Sequence, residues 1–133
     1  MKKLDIENLN NLPFHDVDFL YFIVEQDNKG NADLKLGIQF SKDELPEIED
    51  SLVKYIKNDG KAFLVLKNCS LINLNMISNS TKRDEIDFIK VNNETDKLIN
   101  LGMQKLEYKH IEIVFISGSI IKCIFKEIML SSV

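Results

Sequence analysis

LKLGIQFS, residues 34–41, decides the fold. Leu34, Leu36, Ile38 and Phe40 fall on one side of an extended chain, with Lys35, Gly37 and Gln39 on the other. Successive side chains of a strand point to opposite faces, so this run predicts a strand with one dry and one wet face. Such alternation belongs to antiparallel sheets. Just upstream, Asp27-Asn28-Lys29-Gly30-Asn31 supplies residues that tolerate positive φ, which predicts a hairpin loop. Before it, residues 17–25 form a second strand. Phe19, Tyr21 and Ile23 point one way and Leu20, Phe22 and Val24 the other, so both faces are apolar and the strand is expected to be covered on both sides.

Downstream the period changes. Over residues 44–58, Leu45, Ile48, Leu52, Tyr55 and Ile56 recur at helical spacing, with Glu47, Glu49, Asp50, Lys54 and Lys57 between them. Ser41 and Glu44 have capping-box spacing, Pro46 suits a first turn, and Gly60 after Asn58-Asp59 reads as a stop. One amphipathic helix is expected there. Residues 61–67 and 71–77 read as further strands, the second with Ile72, Leu74 and Met76 inward and Asn73 and Asn75 outward. A polar loop at 78–85 leads to a strand at 86–91. In 96–106, Ile99, Met103 and Leu106 fit a helix while Gly102 fits an edge strand, and both stay open. His110–Ile116 and Ile120–Leu130 are β-branched runs joined by Ser117-Gly118-Ser119, a hairpin. The expected class is α+β: one domain over 1–133, with an N-terminal arm at 1–13 and a mainly antiparallel curved sheet, small sandwich or barrel carrying one helix.

A length of 133 residues with 44% apolar content is enough to bury a core. The net charge of −4 argues against a nucleic-acid partner, because phosphate binding needs a basic surface; Thr81-Lys82-Arg83 runs straight into Asp84-Glu85. The longest apolar run, Phe19 to Val24, is too short to span a bilayer, and Asp5 and Glu7 interrupt any secretory pattern after Met1-Lys2-Lys3. The expected location is the cytoplasm. Cys69 and Cys123 lie in apolar segments and read as buried free thiols; a disulfide is not expected in a reducing compartment.

Candidate chemistry concentrates in LPFHDVDFL, residues 12–20. His15, Asp16 and Asp18 are metal-ligand types, and His110 is the other histidine, but a metal site wants three or four convergent ligands. Pro13 and Asp16 equally make a polar turn with His15 paired to a neighbour. The dipeptide His15-Asp16 is all the chain shares with the HD phosphohydrolases, which need further histidines on a helical scaffold. No catalytic residue and no cofactor site are assigned. Ser117 has no nucleophile-elbow pattern, the five glycines are scattered, and the acidic residues around Glu47 and Glu49-Asp50 lie on a solvated helix face. Asn73 and Asn75, with Asn68 before them, form a polar strip that could meet a partner. Phe14, Phe19, Tyr21 and Phe22 read as core aromatics.

Leu12-Pro13-Phe14-His15-Asp16, Leu66-Lys67-Asn68-Cys69-Ser70-Leu71 and Ile124-Phe125-Lys126-Glu127-Ile128 together resemble small bacterial β-rich proteins grouped with the immunity proteins of polymorphic toxin systems. The resemblance implies a cytoplasmic, non-enzymatic protein that neutralises a cognate toxin domain by binding it. It carries over no site residues. A second reading is a small-molecule or lipid binder, with a curved sheet closed as a cup by the 44–58 helix. A third is a metal-dependent enzyme centred on His15 and Asp16. Oligomeric state is not legible.

Overall fold

The computed structural model describes residues 1–6, 9, 14–77, 83–92 and 108–133. Among these, the chain forms β1 (Lys2–Lys3), β2 (Asp18–Gln26), β3 (Ala32–Gln39), β4 (Lys61–Cys69), β5 (Leu71–Asn75), β6 (Asp84–Asn92), β7 (Lys109–Phe115), β8 (Ile120–Phe125) and β9 (Glu127–Ser131). Every pairing is antiparallel, in the order β1-β9-β4-β3-β2-β6-β7-β8-β5.

That order forces the sheet to curl. β8 and β9 are separated only by Lys126, yet they occupy opposite ends of the strand order. Likewise only Ser70 separates β4 from β5. β4 pairs with β9 up to Lys67↔Glu127, and β5 pairs with β8 from Leu71↔Ile124. At the bend the Ser70 N–H donates to the Ile124 carbonyl (2.8 Å) and the Lys126 N–H to the Lys67 carbonyl (3.0 Å). One long bent strand pair therefore passes from one half of the sheet to the other, a way for strands to turn corners between packed layers. The concave side is dry: Leu34, Leu36 and Ile38 of β3 meet Leu64 and Leu66 of β4, Ile111, Ile113 and Phe115 of β7, and Ile121, Cys123 and Phe125 of β8. Fully burying each Leu or Ile is worth about 1.5–3 kcal/mol, which makes this face the main source of stability.

The strand at 34–41 is β3, inward at Leu34, Leu36 and Ile38 as its alternation requires. The hairpin before it closes through Asp27, whose N–H donates to the Asn31 carbonyl (3.0 Å) and whose Oδ1 accepts from the Lys29 (2.8 Å) and Asn31 (2.9 Å) amides. Gly30 takes φ +83° there. The β7–β8 hairpin turns at Gly118, φ +93°.

Several expectations are corrected. The 44–58 helix does not form. The chain makes a 3-10 turn at Leu45–Glu47 and a four-residue helix, α1 (Asp50–Val53), broken by Ile48 (ψ 137°) and Glu49 (ψ 139°) in extended conformation. Ser41 and Glu44 meet side chain to side chain (Oγ to Oε1, 3.0 Å) and no side chain caps either turn. An isolated helix of that length is marginal, and two turns with a kink still bring Ile48, Leu52 and Ile56 onto the core. The class is thus β-rich, with very little helix among the described residues. Gly60 stops no helix. It closes a turn (Gly60 N–H to Lys57 carbonyl, 2.8 Å) whose Gly60 carbonyl accepts from the Phe40 N–H (2.9 Å).

The arm at 1–13 begins as β1, paired with Met129 and Leu130, and both Leu4 and Leu9 enter the core. Finally, β2 is not covered on both sides. Leu20 is a bulge between Phe19↔Ile38 and Tyr21↔Gly37, so Phe19 shares the inward face with Phe22 and Val24 rather than with Tyr21. Met76, expected inward, is exposed. The segment 96–106 lies outside the described residues.

Candidate interaction surface

β2 pairs with β3 along its whole length but with β6 only at Asp18 and Phe19. Among the described residues, no strand lies along Leu20–Gln26 on the side away from β3. The backbone there offers a row of donors and acceptors, as edge strands do. The side chains offer apolar area: Tyr21, Phe22, Ile23 and Val24 are 41, 40, 38 and 47% exposed. Phe22 and Val24 stand opposite Leu36 and Leu34, so they extend the core face past the point where the sheet covers it.

On the outer face, the Tyr21 ring lies over Gly37, where a Cβ would come within 2.8 Å of it. The ring also meets Phe63 edge-on, centroids 6.0 Å apart. Lys35 borders this face, paired to Glu25 (3.2 Å) and 5.8 Å above Phe63. The strip is aromatic and rimmed by an ion pair. Contiguous exposed apolar area of this kind marks binding surfaces, and an open strand edge recognises an extended partner.

Residues 14–18 serve a different end. The Asp16 N–H donates to the Ile86 carbonyl (3.0 Å), the Ile86 N–H to the Val17 carbonyl (2.9 Å), and Asp16 takes φ +66°, tolerable for Asp in a turn. His15 is 69% exposed; its Nδ1 lies 3.0 Å from the Asp87 carbonyl and its Nε2 3.4 Å from Asp16 Oδ2. The Asp87 carbonyl, and then the Asp16 carboxylate, hold the imidazole pKa above 6.5. Asp16 and Asp18 line an open pocket of about 260 Å³ with Gln39, Ser41, Lys42 and Asp59. Glu44 lies near enough for Asp16 and Asp18 to repel its charge. Its carboxyl is pushed up chiefly by burial, against the Ser41 hydroxyl that favours the ion.

His110 does not join them. It is buried on β7 opposite Asn92 of β6, five residues along from Asp87, or about 17 Å at strand rise. Among the described residues no group of three or more His, Cys, Asp or Glu is placed to hold a metal ion. The pair His15–Asp16 anchors a turn against β6.

Asn73 and Asn75 are exposed on β5, at the end of the strand order, with β8 as the strand beside it. Ser117 and Ser119 are structural. Asp84 accepts from the Ser117 hydroxyl (2.5 Å) and amide (3.1 Å), and buried Ser119 Oγ accepts from the Ile77 N–H (2.7 Å), tying the β7–β8 turn to the start of β6 and the chain beyond β5. Between the 45–56 segment and the sheet, Leu4, Phe14, Phe40, Ile48, Leu52, Ile56 and Leu130 enclose about 10 Å³, room for a single water and no metabolite. No helix among the described residues is long and apolar enough to cross a membrane. Comparison with known proteins finds no matching family profile, no similar curated protein and no similar solved structure.

The β2 strip escaped the sequence reading. A run apolar on both faces fits a doubly covered strand as well as an exposed edge, and the Leu20 bulge that reorders its faces has no residue signature. Gly37 in mid-strand was the available signal, since glycine there marks a close approach, in this case by a ring.

Proposed function

We propose that this chain is a non-enzymatic protein-binding module, of the kind that neutralises a cognate toxin domain, and that it takes its partner along Leu20–Gln26. The observation that supports it is the coincidence, on one strand, of four consecutive exposed apolar residues with an edge that no other strand pairs with among the described residues. Main-chain hydrogen bonds to that edge would supply affinity, and Tyr21 and Phe22 would be the anchors, since aromatic side chains dominate interface energetics. The carboxylates around Asp16, Asp18 and Asp59 lie beside β2 and β3 and would steer a basic partner, changing association rate more than affinity.

A photo-crosslinking residue at position 22, expressed in the native host, tests the reading against the same probe at Lys57. The expected result is one stoichiometric partner captured at 22 and not at 57, and lost when Val24→Lys is added. Equal capture at both positions, or capture indifferent to Val24→Lys, refutes the assignment of the surface.

A further inference from the structure

Cys69 and Cys123 are 54 residues apart in the chain, and both are free thiols. The bend in the sheet brings their sulfurs to 3.3 Å, with the Cys123 S–H donating to Cys69 Sγ and the Cys69 S–H to the Leu66 carbonyl (3.2 Å). Cys123 is inside the core, between Ile72 of β5 and Ile111 of β7, with no exposed surface. Cys69 is half-buried, at the last position of β4.

The backbone that carries Cys69 is braced. Asn68 takes φ +54°, its N–H donates to Asp33 Oδ1 (3.0 Å), and Asp33 Oδ2 pairs with Lys67 Nζ at 2.6 Å. An ordinary pair of core thiols packs as two small hydrophobes. Here Cys69 is half-buried at the margin of the core, and Cys123 lies fully buried against it.

We infer that Cys69 and Cys123 are a dithiol–disulfide pair, in which Cys69 meets the oxidant and Cys123 resolves it into a disulfide stapling the β4–β5 bend to β8. With a hydroperoxide as oxidant, the Cys69 thiolate attacks the outer peroxide oxygen. The O–O bond breaks, leaving an alcohol (water from hydrogen peroxide) and a Cys69 sulfenic acid. The Cys123 sulfur then attacks Cys69 Sγ, the S–O bond breaks, and hydroxide leaves with the Cys123 proton as water. Two thiols are oxidised and one peroxide is reduced.

The donated Cys123 hydrogen bond favours the Cys69 thiolate, holding its pKa below the usual thiol value, and that bond together with burial holds Cys123 protonated until Cys69 has reacted. The order of attack follows from exposure and is reinforced by this asymmetry.

The test is mass spectrometry of the purified full-length protein treated with a few equivalents of hydrogen peroxide, without reductant. The mass should fall by about 2 Da, for two hydrogens removed, with Cys69 and Cys123 peptides linked within one chain. The same treatment in urea should form that link at least about tenfold more slowly, because the fold supplies the effective concentration. In Cys123→Ser, dimedone should label Cys69. Gain of oxygen without a link, a link only between chains, or equal rates folded and unfolded would overturn the proposal.

Discussion

A methyl group at Gly60 would overlap the Phe40 carbonyl oxygen, and the backbone there has φ +88°, a conformation that L side chains rarely adopt. Both facts act on the turn that launches β4. Gly60→Ala is therefore expected to cost about 1–3 kcal/mol from backbone strain, with more from the displaced Phe40–Gly60 hydrogen bond. A urea midpoint unchanged from wild type would contradict this geometry. Gly37 is a different case, since its backbone is ordinary and only the Tyr21 ring stands in the way. Gly37→Ala should destabilise the wild type and cost much less in a Tyr21→Ala background. The coupling measured by that double-mutant cycle, of the order of 0.5–3 kcal/mol for residues in contact, is the direct reading of the ring over the glycine. Both glycines were visible in the sequence, but their partners were not, because Tyr21 and Phe40 are brought to them by register rather than by spacing.

At the scale of elements, β3 and the β7–β8 hairpin were legible because alternation and turn chemistry act locally. The 44–58 segment misled for a physical reason. Apolar residues at 45, 48, 52 and 56 satisfy a continuous helix and also a kinked pair of turns, since either places Ile48, Leu52 and Ile56 on the sheet. Proline distinguishes the two. Glu49 has φ −55° and ψ 139°, and Ile48 before it is extended with φ −84°, the conformations that proline and its preceding residue prefer. Glu49→Pro should be neutral or stabilise by about 0.4–1 kcal/mol through the unfolded chain. Inside a continuous helix the same change would cost about 3 kcal/mol. Chemical denaturation of this one variant decides between them. Leu52→Ala, at a site 5% exposed, should lose about 2–5 kcal/mol, which confirms that the broken segment still closes the core.

The whole molecule depends on strands that serve the sheet twice. β4 with β5 and β8 with β9 are each one strand with a single-residue bend, and that bend curls the sheet and brings Cys69 to Cys123. No local pattern announces it; Ser70 and Lys126 become corners only when the ladders on either side are known. The candidate surface was hidden for the same reason: β6 pairs with β2 only at Asp18 and Phe19, so among the described residues no strand continues along that edge.

The titrating groups of the turns set how such a molecule responds to pH. Asp27 has its pKa held below 3.8 by hydrogen bonds, the largest from the Asn31 side chain, so its contribution is full above that value and is lost as pH falls through the lowered folded value. Glu44 has its pKa raised above 4.5, chiefly by burial; its favourable protonated form is complete below 4.5 and is lost as pH rises through the folded value. The pKa of His15 is raised above 6.5, first by the Asp87 carbonyl and then by Asp16. The stability it supplies is whole below 6.5 and disappears as pH climbs through its folded value. All three are whole together only between about pH 3.8 and 4.5. Above that the Glu44 share is lost first, and above 6.5 the His15 share follows, so these groups make stability decline from mildly acid pH through neutrality. Because Asp27 and His15 are exposed, the slopes are shallow and salt weakens the Asp16 part of the His15 effect. His15→Gln keeps a polar side chain at the Asp87 carbonyl but removes the charge change. Thermal denaturation between pH 6 and 8 should therefore flatten in that variant while the limb below pH 4 is unchanged. A wild-type profile that rises from pH 6 to 8 would mean that His15 gains nothing from Asp87 and Asp16 in the folded state.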